Sequence, residues 1–337
     1  MDPPPVQYVK TSDGISIAYT DVGEGLPFIL MPAASSHVQL NWNPAHRLAE
    51  WLPGLRERFR LICYDGRGQG MSGRGLGPGY SMDSLSNDLE AVVTRLQLER
   101  FVIMGSHASG HAAIRYSASS PAQLLALVLT PTSMTGKQWS VIDNIDLARQ
   151  NWEFFSSFFN QNSPTADLRV ANAEILRKSV TQDDWLKMAS IWRDSEVETL
   201  LPQVHSPTLI LHPRDYLNIP VAQSEQVAAM IPNAQLTLID GTSTFGDAAS
   251  GLKAIDDFFA ESVEKLSIFD ASSIANLSSR EVEVLRLLAT GKSNQQMAND
   301  LVISINTVNR HVSNIYAKLS VDNRTEAAVY AQQNGLA

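Results

Sequence analysis

Along the first two thirds of the chain, short apolar runs rich in β-branched and aromatic residues alternate with stretches whose apolar positions recur every three or four residues. Residues 6–10 and 16–19 flank the turn residues Ser12, Asp13 and Gly14 and predict an opening hairpin. Further strands are predicted over 28–31, 61–64, 101–104, 125–129, 208–212 and 236–239, and helices over 84–96, 109–119, 222–230 and 252–266. This alternation predicts an α/β domain whose mostly parallel sheet is covered by helices. Between about 136 and 201 it is interrupted by helical stretches dense in rings: Trp139, Trp152, Phe154, Phe155, Phe158, Phe159, Trp185 and Trp192. An insertion there lies over the carboxyl ends of the strands, where such sheets bind ligands, so it is read as a helical cap.

After the small polar stretch 267–276, read as a linker, the period becomes helical throughout. Ser278 or Ser279 caps a helix with Val282, Leu285, Leu288 and Ala289 on one face, and Gly291 ends it. Ser293 caps a short helix carrying Met297, Ala298 and Leu301. Ser304 caps a third, in which Ile305, Val308, Val312, Ile315 and Leu319 recur at three and four residues and are expected in the core. Its other face presents Asn306, Asn309, Arg310, Ser313 and Lys318. Amides, hydroxyls and spaced cations of this kind hydrogen-bond base edges and phosphates in a major groove. The expected organisation is an α/β domain over 1–266, the linker over 267–276 and an all-α domain over 277–337. A chain of 337 residues accommodates two such domains.

Composition changes this picture little. With 44% hydrophobic and 18% charged residues the chain reads as globular rather than disordered. No apolar run approaches the roughly 18 residues of a membrane span, and residues 1–10 lack the features of a signal peptide. The expected location is the cytoplasm, with no membrane partner. The single cysteine, Cys63, cannot form an intrachain disulfide and is read as a buried strand residue. No cofactor or metal ligand set is expected. Charge adds more. Residues 272–337 hold six Lys and Arg against five Asp and Glu, leaving this part at +1 and the rest at −10 of the total −9. Only the tail tolerates a polyanion, and its DNA affinity must come from placed contacts and dimerisation rather than a basic blanket.

The tail reads LSSREVEVL, GKSNQQMA, ISINTVNRH and KLSVDNRTEA in order, and in this it closely resembles the LuxR-type helix-turn-helix. The resemblance implies that the third helix enters the major groove of double-stranded DNA and that the fourth, from about Arg324, mediates homodimerisation. By position, Asn309, Arg310 and Ser313 fall where family members touch bases; Ser304, Thr307 and Lys318 complete the candidate DNA contacts. The family often has Lys at the place of Asn309, which implies an unusual base preference or non-specific affinity.

Three earlier segments resemble the α/β-hydrolase fold: MPAASSHVQLNW after the third strand, YDGRGQGMSG after the next, and FVIMGSHASGHAAIRYSASSPAQLLALVL across the nucleophile elbow. Their contexts are most similar to hydrolase-like domains that bacteria join to LuxR-type modules or to adenylate cyclases. The elbow should read GxSxG. It reads Gly105-Ser106-His107-Ala108-Ser109, which puts His107 at the nucleophile position and Ser106 one residue early. The acid is expected four residues before Pro220, at Tyr216, with Asp215 adjacent; the base position, in DGTSTFGD, holds Thr244.

With the usual serine, acid and histidine all replaced, the domain is expected to be catalytically inactive and to bind a small, largely apolar molecule under the cap. The candidate floor is Ala33, Ser36, His37, His107 and Ala108, the candidate roof is cap aromatics such as Trp152 and Phe155, and Asp215 and Thr244 flank it. Binding then biases DNA affinity through a difference in affinity for two states. Two rival readings use the same residues. One is an active hydrolase with an unorthodox nucleophile and Asp215; the other is a protein-interaction domain whose pocket is filled by the cap's own rings.

Overall fold

The computed structural model describes residues 2–119, 123–139, 144–161, 163, 165–263, 277–301, 303–319, 321 and 323–333. The chain divides into two compact units, Met1–Asp257 and Phe258–Ala337. The expected linker, 267–276, lies outside the described residues.

The first unit is built on a sheet of strands β1 (Gln7–Lys10), β2 (Ser16–Val22), β3 (Pro27–Leu30), β4 (Arg60–Tyr64), β5 (Phe101–Gly105), β6 (Leu124–Leu129), β7 (Thr208–Pro213) and β8 (Ala234–Ile239). Their order is β1-β2-β4-β3-β5-β6-β7-β8. β1 and β2 pair antiparallel, β2 joins β4 antiparallel, and every later pairing is parallel. Covered on both faces, β5 reads Phe-Val-Ile-Met-Gly with all five residues buried, the continuous apolar run a central parallel strand requires. The strand order reverses at β3, whose neighbours are β4 and β5. The loops leaving β3 and β5 therefore diverge and open a crevice at their carboxyl ends.

Helices α1 (Trp51–Arg58), α2 (Met82–Arg95), α3 (His107–Ala118), α8 (Val221–Met230) and α9 (Ala248–Phe258) flank the sheet. α1 was not foreseen, because Pro53 and Gly54 break the helical pattern. Both lie in its opening turns, and at Pro53 the missing N–H has no intrahelical partner to lose. Between β6 and β7 run the cap helices α4 (Ile145–Gln150), α5 (Trp152–Phe159), α6 (Ala166–Ser179) and α7 (Gln182–Arg193). Their entries carry side-chain caps: Asn151, Thr165 and Thr181 accept from the amides of Phe154, Leu168 and Asp184. The helix expected over 252–266 starts earlier and changes character, α9 giving way to a π-helical turn at Phe259–Val263.

The second unit holds α10 (Ser279–Ala289), α11 (Asn294–Leu301), α12 (Ile305–Leu319) and α13 (Arg324–Gln333). Ser278 is the cap of α10. Its amide donates to Glu281 Oε2 at 2.7 Å while its Oγ accepts from the Glu281 amide at 3.3 Å, a reciprocal capping box. Gly291, at φ 82°, takes the left-handed turn after α10 that a side chain would strain. Leu285, Leu288, Met297, Val308, Val312, Ile315 and Leu319 close one core. Ile305 does not join it and is 41% exposed, since it sits in the first turn of α12, beyond the edge of that core.

Candidate functional site

The crevice at the reversal point is occupied by a sharp turn from β5 into α3. Gly105 ends the strand where a Cβ would meet Ser109 O at 2.7 Å. His107 opens the helix at φ 48°, a conformation that costs a non-glycine residue energy and is held only by its surroundings. Two bonds brace it: Ser106 N donates to Ser109 Oγ at 3.0 Å, and His107 N donates to Pro131 O at 3.2 Å. The elbow geometry is thus present, with an imidazole at its tip.

His107, Tyr216 and Thr244 come together there. His107 Nε2 lies 2.8 Å from the Tyr216 hydroxyl. That hydroxyl already accepts from Thr244 Oγ1 at 3.2 Å and from Asn218 Nδ2 at 3.3 Å, so its one proton is directed to His107 Nε2. The ring is then the tautomer protonated at Nδ1. Burial, aided by the nearby Arg47 and His111 charges, pushes His107 down to about 3, and burial raises the Tyr216 phenol. The trio is uncharged at neutral pH.

Above the elbow is a cavity of about 290 Å³. Ala33, His107, Ala108, Tyr216 and Thr244 are in its lining, together with Trp51, Trp139, Trp185, Trp192 and Phe159. Several expected residues lie elsewhere. Trp152 and Phe155 stack on one another at 5.7 Å, and Phe155 lies 4.5 Å from Trp185, so these rings fill the cap's own core; Phe159, one turn on, reaches the cavity. His37 turns its Nδ1 to the amides of Gln39 and Leu40, each at 3.3 Å, and caps its own loop. Ser36 is buried on Asp65, whose carboxylate also accepts from the amides of Val38 and Met71 and ties the β3 and β4 loops together. Asp215 is exposed, its amide donating to Gly241 O at 3.3 Å, while Tyr216 points inward.

The lining also holds one ring of the predicted cap and residues that the sequence did not mark. Trp139 sits edge-on to His107, ring centroids 5.5 Å apart. Arg67 lies behind, paired with Asp13 at 2.6 Å and Asp88 at 2.8 Å; burial raises Asp88 to about 6 in spite of that partner. Arg47 and His46 come from the loop before α1, and nothing in the local pattern marks them as enclosed. Among the described residues no group of three side chains is arranged to hold a metal ion, and no helix is long and apolar enough to cross a membrane.

On the second unit, Asn306, Asn309, Arg310 and Ser313 are exposed along one side of α12. Asn309 accepts from Asn294 Nδ2 at 2.7 Å, which fixes its amide orientation, whereas Arg310 makes no side-chain bond among the described residues. Ser304 and Thr307 cap the helix, Thr307 N donating to Ser304 Oγ at 3.1 Å. Lys318 is engaged internally, its Nζ 2.7 Å from Glu281 Oε2. Burial would raise the Glu281 carboxyl, but Lys318 and Ser278 outweigh it and hold it at about 2. Lys318 thus ties α12 to α10 while its side chain stays partly exposed.

Comparison with known proteins follows the same division. The model for bacterial regulatory proteins of the luxR family matches residues 275–331, and that for the alpha/beta hydrolase fold matches residues 33–172. The transcriptional regulatory protein LiaR of Bacillus subtilis is 49% identical over 61 residues, 18% of this chain, and the match spans 29% of that relative's length. A non-heme haloperoxidase of Rhodococcus erythropolis is 28% identical over 261 residues, covering 70% of this chain and 92% of its own. Among solved structures, a hydrolase from Pseudomonas aeruginosa superposes with a TM-score of 0.65 at 21% identity, over 75% of this chain and 98% of that one, a likeness of fold alone. The chain belongs to the luxR family of bacterial regulatory proteins and carries, ahead of that family's C-terminal domain, a domain of α/β-hydrolase fold.

Proposed function

We propose that this protein is a ligand-responsive, DNA-binding transcription regulator in which the hydrolase-fold domain has given up turnover and binds a small, largely apolar molecule. One observation carries the reading: an open cavity of about 290 Å³ stands over an elbow whose polar groups, His107, Tyr216 and Thr244, are bonded to one another. Acyl transfer needs a nucleophile whose proton passes to a base that a third group orients. Here the imidazole accepts a hydrogen bond from a phenol instead, and a ring held near 3 is a poor base at neutral pH. A cavity left open between elbow and cap also weighs against a pocket sealed by its own rings.

Ligand binding is read by thermal shift. A molecule selective for the folded state raises the melting temperature with concentration. Small apolar compounds that stabilise the wild type are expected to lose the effect in His107→Trp, which fills the cavity floor. Equal shifts in both proteins place the binding elsewhere and sink the cavity reading.

The DNA-binding half of the proposal rests on α12 as a recognition helix. Asn309, Arg310 and Ser313 then face base edges, the capped N-terminus at Ser304 and Thr307 meets phosphate, and α13 supplies the homodimer contact. Arg310→Ala is expected to weaken specific duplex binding by about 1 to 3 kcal/mol if the guanidinium reads a base, and to reduce the salt dependence as well if it contacts phosphate. Fluorescence anisotropy across a salt series separates the two. Unchanged specific binding by a folded Asn309→Ala, Arg310→Ala double variant removes the assignment.

A further inference from the structure

In the cavity wall lies a cation with no counter-charge. Arg47 donates from Nη2 to Ser35 Oγ, and its Nε is enclosed with no hydrogen-bond partner. No described carboxylate forms an ion pair with it. Two carboxylates share the lining, but Asp88 is bound to Arg67 at 2.8 Å and Glu50 is exposed to solvent. The Arg47 charge is felt at the elbow, where it depresses the basicity of His107 and His46.

Two further residues of the cavity wall carry donors without acceptors. His46 Nδ1 accepts from the Leu48 amide at 3.2 Å, which leaves Nε2 as an N–H, and that N–H is enclosed with no acceptor. The Trp139 indole N–H is in the same position. A half-buried guanidinium with no counter-charge and an enclosed, unpartnered Nε destabilises the empty protein, and an anion arriving in the cavity reduces that penalty. The guanidinium fork also matches a carboxylate in shape and charge.

We infer that the ligand is an organic acid, its apolar or aryl body held against Trp139, Trp185 and Phe159 and its carboxylate bound by Arg47. This rests on the reading of the cavity as a ligand site and adds the charge that reading lacked.

The test is calorimetric titration of the full chain with matched pairs: phenylacetate and phenylacetamide, cinnamate and cinnamamide, octanoate and octanamide. At least one acid is expected to bind about tenfold or more tightly than its amide, the loss typical when a charge-assisted hydrogen bond is removed. Arg47→Met is expected to abolish the preference and to raise the melting temperature of the unliganded protein. Arg47→Lys, which keeps the charge, is expected to retain part of the preference. Amides that bind as tightly as their acids, or acid affinity unchanged in Arg47→Met, overturn the acid assignment and leave a ligand cavity of another specificity. If none of the six compounds binds at millimolar concentration, the cavity reading and the acid assignment fall together.

Discussion

Short-chain aryl esters are expected to be hydrolysed no faster with this protein than in buffer. In serine hydrolases the loss of a single triad member costs roughly four to six orders of magnitude in turnover, and here all three positions carry other groups. The substitutes do not compensate. His107 stands where the nucleophile belongs, but its Nε2 accepts the Tyr216 hydrogen bond, and among the described residues no carboxylate bonds to the trio. Asp215, the acid nearest in sequence, is turned to solvent. Progress curves with excess aryl acetate and butyrate, run beside His107→Ala, decide the matter. Saturable turnover that disappears in that variant would make the domain an enzyme.

A second large effect is expected in acid. The rings of His46, His107 and His111 are held near 3, 3 and 4 by burial, whereas in the unfolded chain they titrate near 6.5. Between those values unfolding takes up protons, so the stability these neutral rings contribute is complete above 6.5 and is lost as the pH falls. His37 and His212 shift the same way. Two carboxyls oppose them. Burial raises Asp88 to about 6 and also raises Asp65, so the folded chain binds protons there before the unfolded one does. For the groups with a definite value, three rings against Asp88, the balance near pH 5 is about two net protons, or roughly 3 kcal/mol per pH unit, a large part of the 5 to 15 kcal/mol that holds a typical domain. The melting temperature is expected to fall steeply from pH 6.5 to pH 4.5, and His107→Gln is expected to reduce the slope by about one proton. A flat profile over that interval contradicts neutral, enclosed rings.

The central strands were legible because burial on both faces demands unbroken apolar runs, as in β5. The elbow was legible because Gly105 and the small residues after it are required by close approach of helix to strand. Counting back from Pro220 placed Tyr216, one residue from Asp215, on the inner side of its loop. What the spacing did not resolve was which of the cap's rings form the roof. Helical spacing shows that Phe155 and Phe159 share a face of α5, but not which turn of that face meets a cavity and which meets Trp185. The settings of Arg47 and Lys318 were hidden for a related reason. The first lines a cavity built by elements distant in sequence, and the second finds a carboxylate 37 residues earlier, at Glu281. Such partnerships arise only on folding.

The placement of the tryptophans has a practical consequence. All six, Trp42, Trp51, Trp139, Trp152, Trp185 and Trp192, lie in the unit Met1–Asp257, and none lies in Phe258–Ala337. Trp51, Trp139, Trp185 and Trp192 stand in the cavity wall. Indole emission from the intact protein is therefore a built-in optical gauge of cavity occupancy, while events on the recognition helix reach it only if the two units are coupled. A change in that emission on adding duplex alone measures the coupling without a label.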